Sequence, residues 1–425
     1  MAAPRANIAD GGRGRRTAAV IVAALACLAP PAAADPPTAL PAPLRLADAM
    51  RIAREHRSEV VAASARARAA SERPASVSAL DDPELSASLD HVPFMGGGAD
   101  VSVTIQQRFP LSGVRGHRRR AALAEARRAA AEVDRAGLDV ELQAAAAFWM
   151  VAELRERQAV LADQRALADQ MTAAATARYA TSAGMQADVL RAQLEVDRLG
   201  AEQRALAAEL RAAEAMLDTS LARDPDAPVP ELDAAVSDTE PPATAAVASA
   251  AIARRPELRA GTADVARADA EIAASQAMYT PMAMLRTGPS YTMADGAGWM
   301  VMVGVSIPLW RDKLRADVSE ARAMAAMASA DLDAMRTMIR GEAAAARERV
   351  MAARARYLAL RDDIIPRARQ VIGPTLAAYA ANQTPLVSAI EAAQALWDAQ
   401  RELAMARGEL GLAWARLHRA TGETP

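Results

Sequence analysis

One long run without proline constrains this chain more than any other feature of its sequence. From Gly116 to Tyr179 there is no proline, and Gly137 is the only further glycine. An α-helix of this length measures on the order of 90 Å, several times the thickness of a small domain. Such a rod must span something or line something, and the rest of the sequence has to show which.

The first run has a second version 200 residues further along the chain. Runs 116–222 and 314–419 are both rich in Ala, Arg and Glu, and each is interrupted once, after Tyr179 and after Tyr379. Behind each interruption, large side chains recur every seven residues, which is typical of a coiled-coil seam. These positions are Val196, Gln203, Leu210 and Leu217 in the first version and Leu396, Leu403, Leu410 and Leu417 in the second. The sequence therefore predicts two long helical hairpins related by duplication.

Ahead of each long run the spacing of apolar residues changes from helical to alternating, which predicts a helix followed by a strand pair. The first repeat, 35–222, comprises helix 46–73, β-hairpin 84–109 and helical hairpin 116–222. A Pro-rich linker, 223–242, follows it. The second repeat, 243–425, comprises helix 243–278, β-hairpin 282–309 and helical hairpin 314–419.

Residues 1–34 have the pattern of an export signal peptide. Three arginines precede an apolar run over 18–29, and an Ala-Ala-Ala stretch at 32–34 offers a cleavage site. The run is too short for a membrane-spanning helix. The only cysteine, Cys27, lies within it and either leaves with the peptide or carries a lipid anchor. Removal of the peptide would leave a chain without cysteine, as suits the cell envelope.

Nothing in the sequence indicates catalysis, a cofactor or a nucleic-acid partner. The formal net charge is −2 and the two signs are interspersed, so no basic surface is predicted. No metalloprotease, hydrolase or phosphate-loop motif occurs. The four histidines are scattered along the chain at His56, His91, His117 and His418. We therefore do not expect an enzyme.

The predicted strands fit a membrane β-barrel only if several chains combine. Each repeat supplies two strands of about nine residues with one apolar face, which is the length and pattern of a barrel wall. One chain has too few strands, because the smallest such barrels have about eight, whereas three chains with four strands each would supply twelve. Alternation alone also allows a small soluble sheet packed on one face. Export and the length of the helices favour a trimeric channel.

This arrangement resembles the TolC family of outer-membrane efflux channels over residues 44–421. The likeness is carried by Arg255-Pro-Glu-Leu258, the Pro-Leu pairs at 110 and 308, and the turns after Tyr179 and Tyr379, the first followed by Asp188-Val-Leu-Arg-Ala192. The resemblance implies a mainly α protein with a small β part. It implies a homotrimer whose twelve strands form an outer-membrane barrel and whose helices form a periplasmic tunnel. The implied partners are a periplasmic adaptor, an inner-membrane pump of the RND type and outer-membrane lipid.

The resemblance places the two turns at the periplasmic end of the tunnel, where the helices converge and an adaptor docks. The candidate residues for this end and for docking are Tyr179, Gly184, Met185, Tyr379, Thr384 and Pro385. We expect the two tyrosines to wedge the turns, and Gly184 to adopt a left-handed backbone conformation.

Three further residues, Glu391, Ser388 and Asp188, are the candidate gate. Ser388 and Glu391 match positions at which the family can carry a ring of carboxylates. Three copies of Glu391 held close would repel one another and attract cations, whereas the alternative is a solvated helix residue. Asp188 can favour the start of its helix through the helix dipole, restrain the closed turns, or do both.

Methionine is the strongest sequence signal for cargo. Eleven of the 19 methionines lie between Met278 and Met351, and Met300 and Met302 are expected on the strand face opposite Trp299. Thioethers are soft ligands for Cu(I) and Ag(I), although methionine also fills irregular cores. The β-hairpins also resemble those of the family's heavy-metal branch. This favours heavy-metal cations, Cu/Ag or Zn-type ions, as cargo; drugs or other organic toxicants are the alternative. A soluble periplasmic coiled-coil adaptor or scaffold is the alternative of a different class.

Overall fold

The computed structural model of the chain describes residues 39–90, 99–381 and 383–423. The predicted export signal, with Cys27, lies outside these residues. The described part begins with the short strand β1 (Leu44–Arg45). It continues with α1 (Leu46–His56), α2 (Ser58–Val77), β2 (Glu84–Asp90), β3 (Asp100–Pro110), α3 (Val114–Ala180) and α4 (Gln186–Ser220).

After β4 (Leu232–Asp233) the same order of elements recurs. The second set comprises α5 (Thr244–Arg254), α6 (Pro256–Ala277), β5 (Met282–Thr292), β6 (Gly296–Val305), α7 (Arg311–Leu358), a π-helical turn (Ala359–Ile364), α8 (Ile365–Ala380) and α9 (Leu386–Thr421). The fold is therefore mainly α with a small β part, as predicted, and it is built from two matching sets of elements.

The long helices pack along narrow seams. Helix α3 alone has 67 residues and is about 100 Å long. Its many alanines allow neighbouring helices to approach closely, so a few large residues fill the seams. Of the predicted seven-residue positions, Leu217, Leu396, Leu410 and Leu417 are buried, and Val196, Gln203, Leu210 and Leu403 are half-buried. None of the described helices combines the length and apolarity needed to cross a lipid bilayer.

One contact between the two sets depends on glycine. A Cβ atom on Gly411 of α9 would lie 2.1 Å from Cε2 of Trp149 on α3, far inside van der Waals contact. A Cβ atom on Gly408, one turn earlier, would lie 3.2 Å from the Cβ of Glu153. The indole of Trp149 therefore rests directly on the backbone of α9, which only a residue without a side chain allows.

The helices predicted over 46–73 and 243–278 are each bent at an arginine. Arg57 and Arg255 have extended backbones, with ψ of 131° and 124°, and a new helix starts directly after each. At Arg255 the following proline disfavours helical geometry. Helix α2 also runs past Pro74 to Val77, and the Ser78 hydroxyl donates to the Pro74 carbonyl at its end.

Each of these arginines forms a paired hydrogen bond with the glutamate two residues later. Arg57 binds both carboxylate oxygens of Glu59, and Arg255 binds both oxygens of Glu257 at 3.0 and 2.8 Å. Glu257 also accepts a 2.7 Å hydrogen bond from Arg419 of α9. Burial alone would raise the pKa of Glu257, but the hydrogen bonds from the two arginines outweigh it and lower that pKa to about 2. The bend in the second set is thereby tied to the end of the chain.

The segment predicted as a Pro-rich linker is held against helices of both sets. Strand β4 pairs in parallel with β1. Arginines then donate to successive backbone carbonyls of the segment: Arg155 to Pro230, Arg407 to Ala234, Arg354 to Asp238 and Arg347 to Pro242, at 2.6 to 2.9 Å. An extended proline-rich segment contains few N–H groups that could donate to these carbonyls. The arginine side chains provide the donors instead.

The second long helix is not continuous. A π-helical turn, Ala359–Ile364, separates α7 from α8, where a single helix was predicted. Pro366, in the first turn of α8, cannot donate a backbone hydrogen bond, which favours a widened turn before it. The first set has no proline at the matching place, and its helix α3 is uninterrupted.

The four longer strands form one antiparallel sheet in the order β2-β3-β5-β6. One face is polar: the Ser86 and Thr104 hydroxyls are 2.9 Å apart, and Arg286 donates to Gln106. The other face is apolar and exposed, with side chains that include Leu85, Leu89, Val103, Ile105, Trp299, Val301 and Val303. The predicted alternation is thus present in the sheet.

Strand β6 ends earlier than its apolar alternation predicts. It stops at Val305, whereas alternation continues to Leu309, because its neighbour β5 begins at Met282, opposite Ser306, and offers no partner beyond it. In the adjacent strand β5, the pairing with β3 is interrupted at Gly288 and Pro289, because proline has no backbone N–H to donate. Gly288 is essential there, because a Cβ atom on it would lie 2.0 Å from the carbonyl oxygen of Val103.

Candidate functional site

The two turns between the long helices lie side by side. Residues of both line one cavity of about 380 Å³, and we call the following group the turn cluster: Arg178, Ser182, Ala183, Gly184, Met185, Asp188, Tyr379, Gln383, Thr384 and Pro385. Two segments some 200 residues apart in sequence are thereby brought together. Tyr179, also predicted at this end of the molecule, is not among the residues that line the cavity.

The first turn is closed by backbone hydrogen bonds at the end of α3. The Ser182 N–H donates to the Tyr179 carbonyl at 3.0 Å, and the Ala183 N–H donates to the Arg178 carbonyl at 2.9 Å. This is the Schellman pattern of helix termination. The left-handed residue is Ser182, with φ of 59°, and not Gly184, as the sequence had suggested. Gly184 instead lies close to the end of α3, where a Cβ atom on it would make a tight contact of 3.1 Å with the Cβ of Arg178.

The second turn follows the same scheme. The Gln383 N–H donates to the Ala378 carbonyl at 2.9 Å, which matches the Ala183 bond of the first turn. Pro385 has an extended backbone and precedes α9, and the Ser388 N–H donates to its carbonyl. The hydroxyl oxygen of Thr384 is buried without a hydrogen-bond partner among the described residues. The turn therefore contains a polar group that its own surroundings do not satisfy.

Arg178 connects the two turns. Its guanidinium group lies 4.5 Å from the centre of the Tyr379 ring, and Nη1 donates to the Tyr379 carbonyl. Nη2 donates to the Ala183 carbonyl at 3.2 Å. One side chain thus holds its own turn and the opposite turn together through a cation–π contact and charge-assisted hydrogen bonds. Arg178 was not predicted from the sequence: a basic residue in the last turn of a helix, directly before Tyr179, marks the helix end but not the contact with Tyr379.

The two tyrosines predicted to wedge the turns differ in their surroundings. Tyr379 is buried, with 4% of its surface exposed, whereas Tyr179 is 49% exposed. Burial raises the pKa of the Tyr379 phenol; Arg178 opposes this shift, and the nearby Asp188 carboxylate adds to it. Only Tyr379 packs between the turns. The physical reason is that Arg178 reaches across to the second copy, and no residue makes the reciprocal contact with Tyr179 in the described structure.

The three gate candidates occupy different positions. Asp188 is half-buried and lines the cavity of the turn cluster. Ser388 is half-buried in the first turn of α9. Glu391 is exposed and has no hydrogen bond or ion pair to any described residue. A carboxylate placed in this way is free to face another copy of the chain or the solvent.

The methionines proposed as metal ligands lie on the polar face of the sheet. Met302 is paired with Arg286, and Met300 with Gly288, which places both opposite Trp299 as predicted. Met284 lies on the same face, with its methyl group close to Gly304. Arg286, the ladder partner of Met302, directs its guanidinium group to Gln106 of β3, so a cation also lies on this face of the sheet. Among the described residues, no three His, Cys, Asp or Glu side chains cluster so as to hold a metal ion.

Comparison with solved structures identifies the fold. A crystal structure of CusC superposes with a TM-score of 0.79 at 14% identity, covering 89% of this chain and 92% of that chain. The outer-membrane protein VceC of Vibrio cholerae superposes with a TM-score of 0.74 at 18% identity, covering 89% and 96%. The open MtrE outer-membrane channel of Neisseria gonorrhoeae superposes with a TM-score of 0.74 at 17% identity, covering 89% of both chains. At these identities the likeness establishes the fold.

The fold is therefore that of the outer-membrane channels. Residues 247–423 match the family described as outer membrane efflux protein. The match falls on the second set of elements, from α5 to α9. The resemblance drawn from the sequence is confirmed, and an efflux protein family agrees with the expectation that the chain is not an enzyme. No curated protein sequence matches this chain significantly.

Proposed function

We propose that three copies of the chain form the outer-membrane channel of a tripartite efflux system. The observation that carries this proposal is the exposed apolar face of the sheet, on which Leu85, Trp299 and Val303 are 76%, 68% and 72% exposed. An apolar surface of this kind needs a cover, and lipid supplies one. Its opposite face is polar, as the lining of a water-filled passage requires.

The sheet also has two open edges. Strands β2 and β6 are its outer strands, so each carries a row of backbone groups without partners in the single chain. In a bilayer such groups have to be paired, because no water is present to satisfy them. Pairing of β6 with β2 of the next copy closes three sheets of four strands into a barrel of twelve. The helices then extend into the periplasm as the tunnel.

The duct is passive in this proposal, and a periplasmic adaptor and an inner-membrane pump of the RND type deliver the cargo. The adaptor docks at the turns, where Met185 is 68% exposed and Tyr179 is exposed as well. The other residues proposed for this surface are Gly184, Tyr379, Thr384 and Pro385 of the turn cluster. Exposed apolar side chains beside a polar cavity suit a contact with a partner helix.

Cysteine cross-linking tests the channel itself. Cysteine pairs introduced along the outer edges of β2 and β6, in a chain whose native Cys27 is replaced, should form disulfides between copies and give a ladder that ends at the trimer. The protein should be recovered in the outer-membrane fraction and require detergent for extraction. Recovery in the soluble periplasm, without a ladder, would instead support the adaptor or scaffold alternative.

For the gate, we propose that Glu391 forms an anionic constriction, with Ser388 and Asp188 nearby. Glu391 is exposed and has no partner among the described residues, so it is available to face its copies across an axis. Substitution Glu391→Ala should change single-channel conductance in planar bilayers and weaken block by divalent cations. The control is Glu409→Ala, which removes the same charge from an exposed residue further along α9. Identical conductance and block in wild type and Glu391→Ala would reject the gate.

For the cargo, we propose heavy-metal cations, Cu(I) or Ag(I) first and Zn-type ions second. The support is the group Met284, Met300 and Met302 on the polar face of the sheet, since thioethers bind soft cations weakly enough to release them. Cells that lack the chain should lose tolerance to these metals. Loss of tolerance to organic toxicants alone would favour the drug alternative. A chain with all three residues changed to Leu tests whether the thioethers matter.

A further inference from the structure

A second cavity lies where the sheet meets the helices. It measures about 300 Å³ and is bordered by the end of β3, the start of α3, the end of α6 and the segment between β6 and α7. The exposed apolar face of the sheet ends at the same level, and Ile307, Leu309 and Trp310 are strongly exposed there. The cavity therefore stands at the border between the apolar band and the polar helices.

The cavity has an apolar wall. Met278, Ile307, Trp310 and Leu314 line it, together with other apolar side chains. Trp310 is 79% exposed, which is unusual for an indole that has an apolar cavity beside it. Indole rings concentrate at the level of lipid headgroups, where one side is apolar and the other is wet. The wall is suited to an acyl chain or to the apolar part of another amphiphile.

The same cavity is lined by three cationic side chains, Arg115, Arg118 and Lys313, against a single carboxylate, Asp81. Arg115 is fixed by a 2.7 Å hydrogen bond from its Nε to the Ser78 carbonyl. Arg118 has no hydrogen bond or ion pair to a described residue. The Lys313 amine pairs with Asp317 at the surface, and the side chain of Lys313 is largely exposed.

Cations that outnumber carboxylates beside an apolar wall select an anionic amphiphile. We infer that this cavity binds the anionic headgroup of a phospholipid, with Arg118 and Lys313 on the phosphate and Trp310 against the upper acyl chain. The inference rests on the proposed function, because it requires the apolar face of the sheet to lie in the bilayer. Basic side chains at such a level favour anionic over zwitterionic lipid. Bound lipid would fix the depth at which the barrel sits and would join the ends of the two strand pairs.

Lys313 provides a selective probe, because it is the only lysine in the chain. The purified full-length trimer is placed in vesicles of phosphatidylcholine alone or of phosphatidylcholine mixed with phosphatidylglycerol. The rate of Lys313 acetylation by an amine-reactive reagent is then measured by mass spectrometry. Phosphatidylglycerol should slow the labelling several-fold, because the amine is occupied by the headgroup.

The variant Arg118→Ala tests the second cation. Each basic residue near an anionic lipid contributes about a factor of five in affinity, so the variant should lose most of the protection at limiting phosphatidylglycerol. Arg211→Ala, which removes an exposed arginine from α4, is the matched control and should retain full protection. Both residues are exposed, so neither variant is expected to disturb folding.

The possible outcomes separate lipid from other occupants and from failure of the proposed function. Equal labelling in both vesicle types, in a protein that conducts ions, would overturn the lipid site and leave the channel intact. Protection by inorganic phosphate alone, without anionic lipid, would show a free anion site and overturn it as well. If Lys313 labelling is equally slow in both vesicle types and becomes fast when the trimer dissociates, a second copy covers the cavity. This result would overturn the lipid site. If the protein neither conducts ions nor shows slower Lys313 labelling with phosphatidylglycerol, both the channel and the lipid site are overturned.

Discussion

Removal of the Arg178 side chain charge should release the first turn from the second. The variant Arg178→Met keeps most of the length and apolar volume of the side chain. It removes the guanidinium group that lies 4.5 Å from the centre of the Tyr379 ring and donates to the Tyr379 carbonyl. It also removes the bond to Ala183, but that bond lies within the first turn and does not connect the two.

The size of the effect follows from the two contacts that bridge the turns. A hydrogen bond from a charged donor contributes about 1.5–3 kcal/mol, and a half-exposed site favours the lower value. The cation–π contact adds about 0.5–1 kcal/mol. Together they stabilise the joined turns by about 2–3 kcal/mol, which corresponds to roughly a 30- to 150-fold change in the ratio of joined to separated turns. If separated turns are the open state, the open fraction should rise accordingly.

Single-channel recording of the purified trimer in planar bilayers measures this ratio directly. Arg178→Met should raise the open probability, and Arg191→Met, on the exposed surface of α4, should not. A double-mutant cycle with Tyr379→Leu isolates the contact with the ring, and we expect a coupling of about 1 kcal/mol. Because Tyr379→Leu keeps the backbone carbonyl, the hydrogen bond to it is not removed by this change.

Three results would refute the reasoning. Unchanged open probability in Arg178→Met would show that the bridge does not hold the turns together. Additive effects of the two substitutions would show that the ring and the guanidinium group do not interact energetically. A higher open probability in both Arg178→Met and Arg191→Met would point to net charge, and not to the bridge.

Two further predictions concern stability, measured by denaturation of the solubilised protein followed by circular dichroism. Because the folded-state pKa of Glu257 is about 2 and its ordinary value is 4.5, its contribution should be complete above about pH 5 and lost as the pH falls toward 2. Glu257→Gln should therefore lower the free energy of unfolding by about 3 kcal/mol at pH 7 and by little near pH 2; an equal loss at both values would contradict this. Gly411→Ala should destabilise by about 1–3 kcal/mol through its clash with Trp149. Gly341→Ala, with open space around its Cβ, should stabilise by about 0.5–1 kcal/mol, and equal effects of the two would refute the packing argument.

Much of the architecture was accessible from the sequence because it rests on local periodicity. The interruptions after Tyr179 and Tyr379 mark the two turns, and alternation marks strands β3 and β6. Proline had to be judged in context, and there the prediction was less accurate. Pro74 was expected to end a helix that in fact continues to Val77, although Pro74 cannot donate to the carbonyl one turn earlier.

The candidate site was only partly accessible. Asp188, Gly184 and Thr384 were singled out by position, and all three line the cavity of the turn cluster. Arg178 was missed, because its partner Tyr379 lies 201 residues away and no local pattern reports that contact. The duplication suggested similar roles for Tyr179 and Tyr379, and only the structure shows that Tyr379 is buried while Tyr179 is exposed.

The sequence by itself determined the order of the elements, the two-fold repetition and the two faces of the sheet. Each of these follows from side-chain spacing over a few turns of helix or a few residues of strand. Only the tertiary structure decided which turn reaches into the other, which glycine makes room for Trp149, and which cations surround the cavity below the sheet. Those features depend on contacts between segments far apart in the chain, and their geometry is set by the packing of the two repeats against each other.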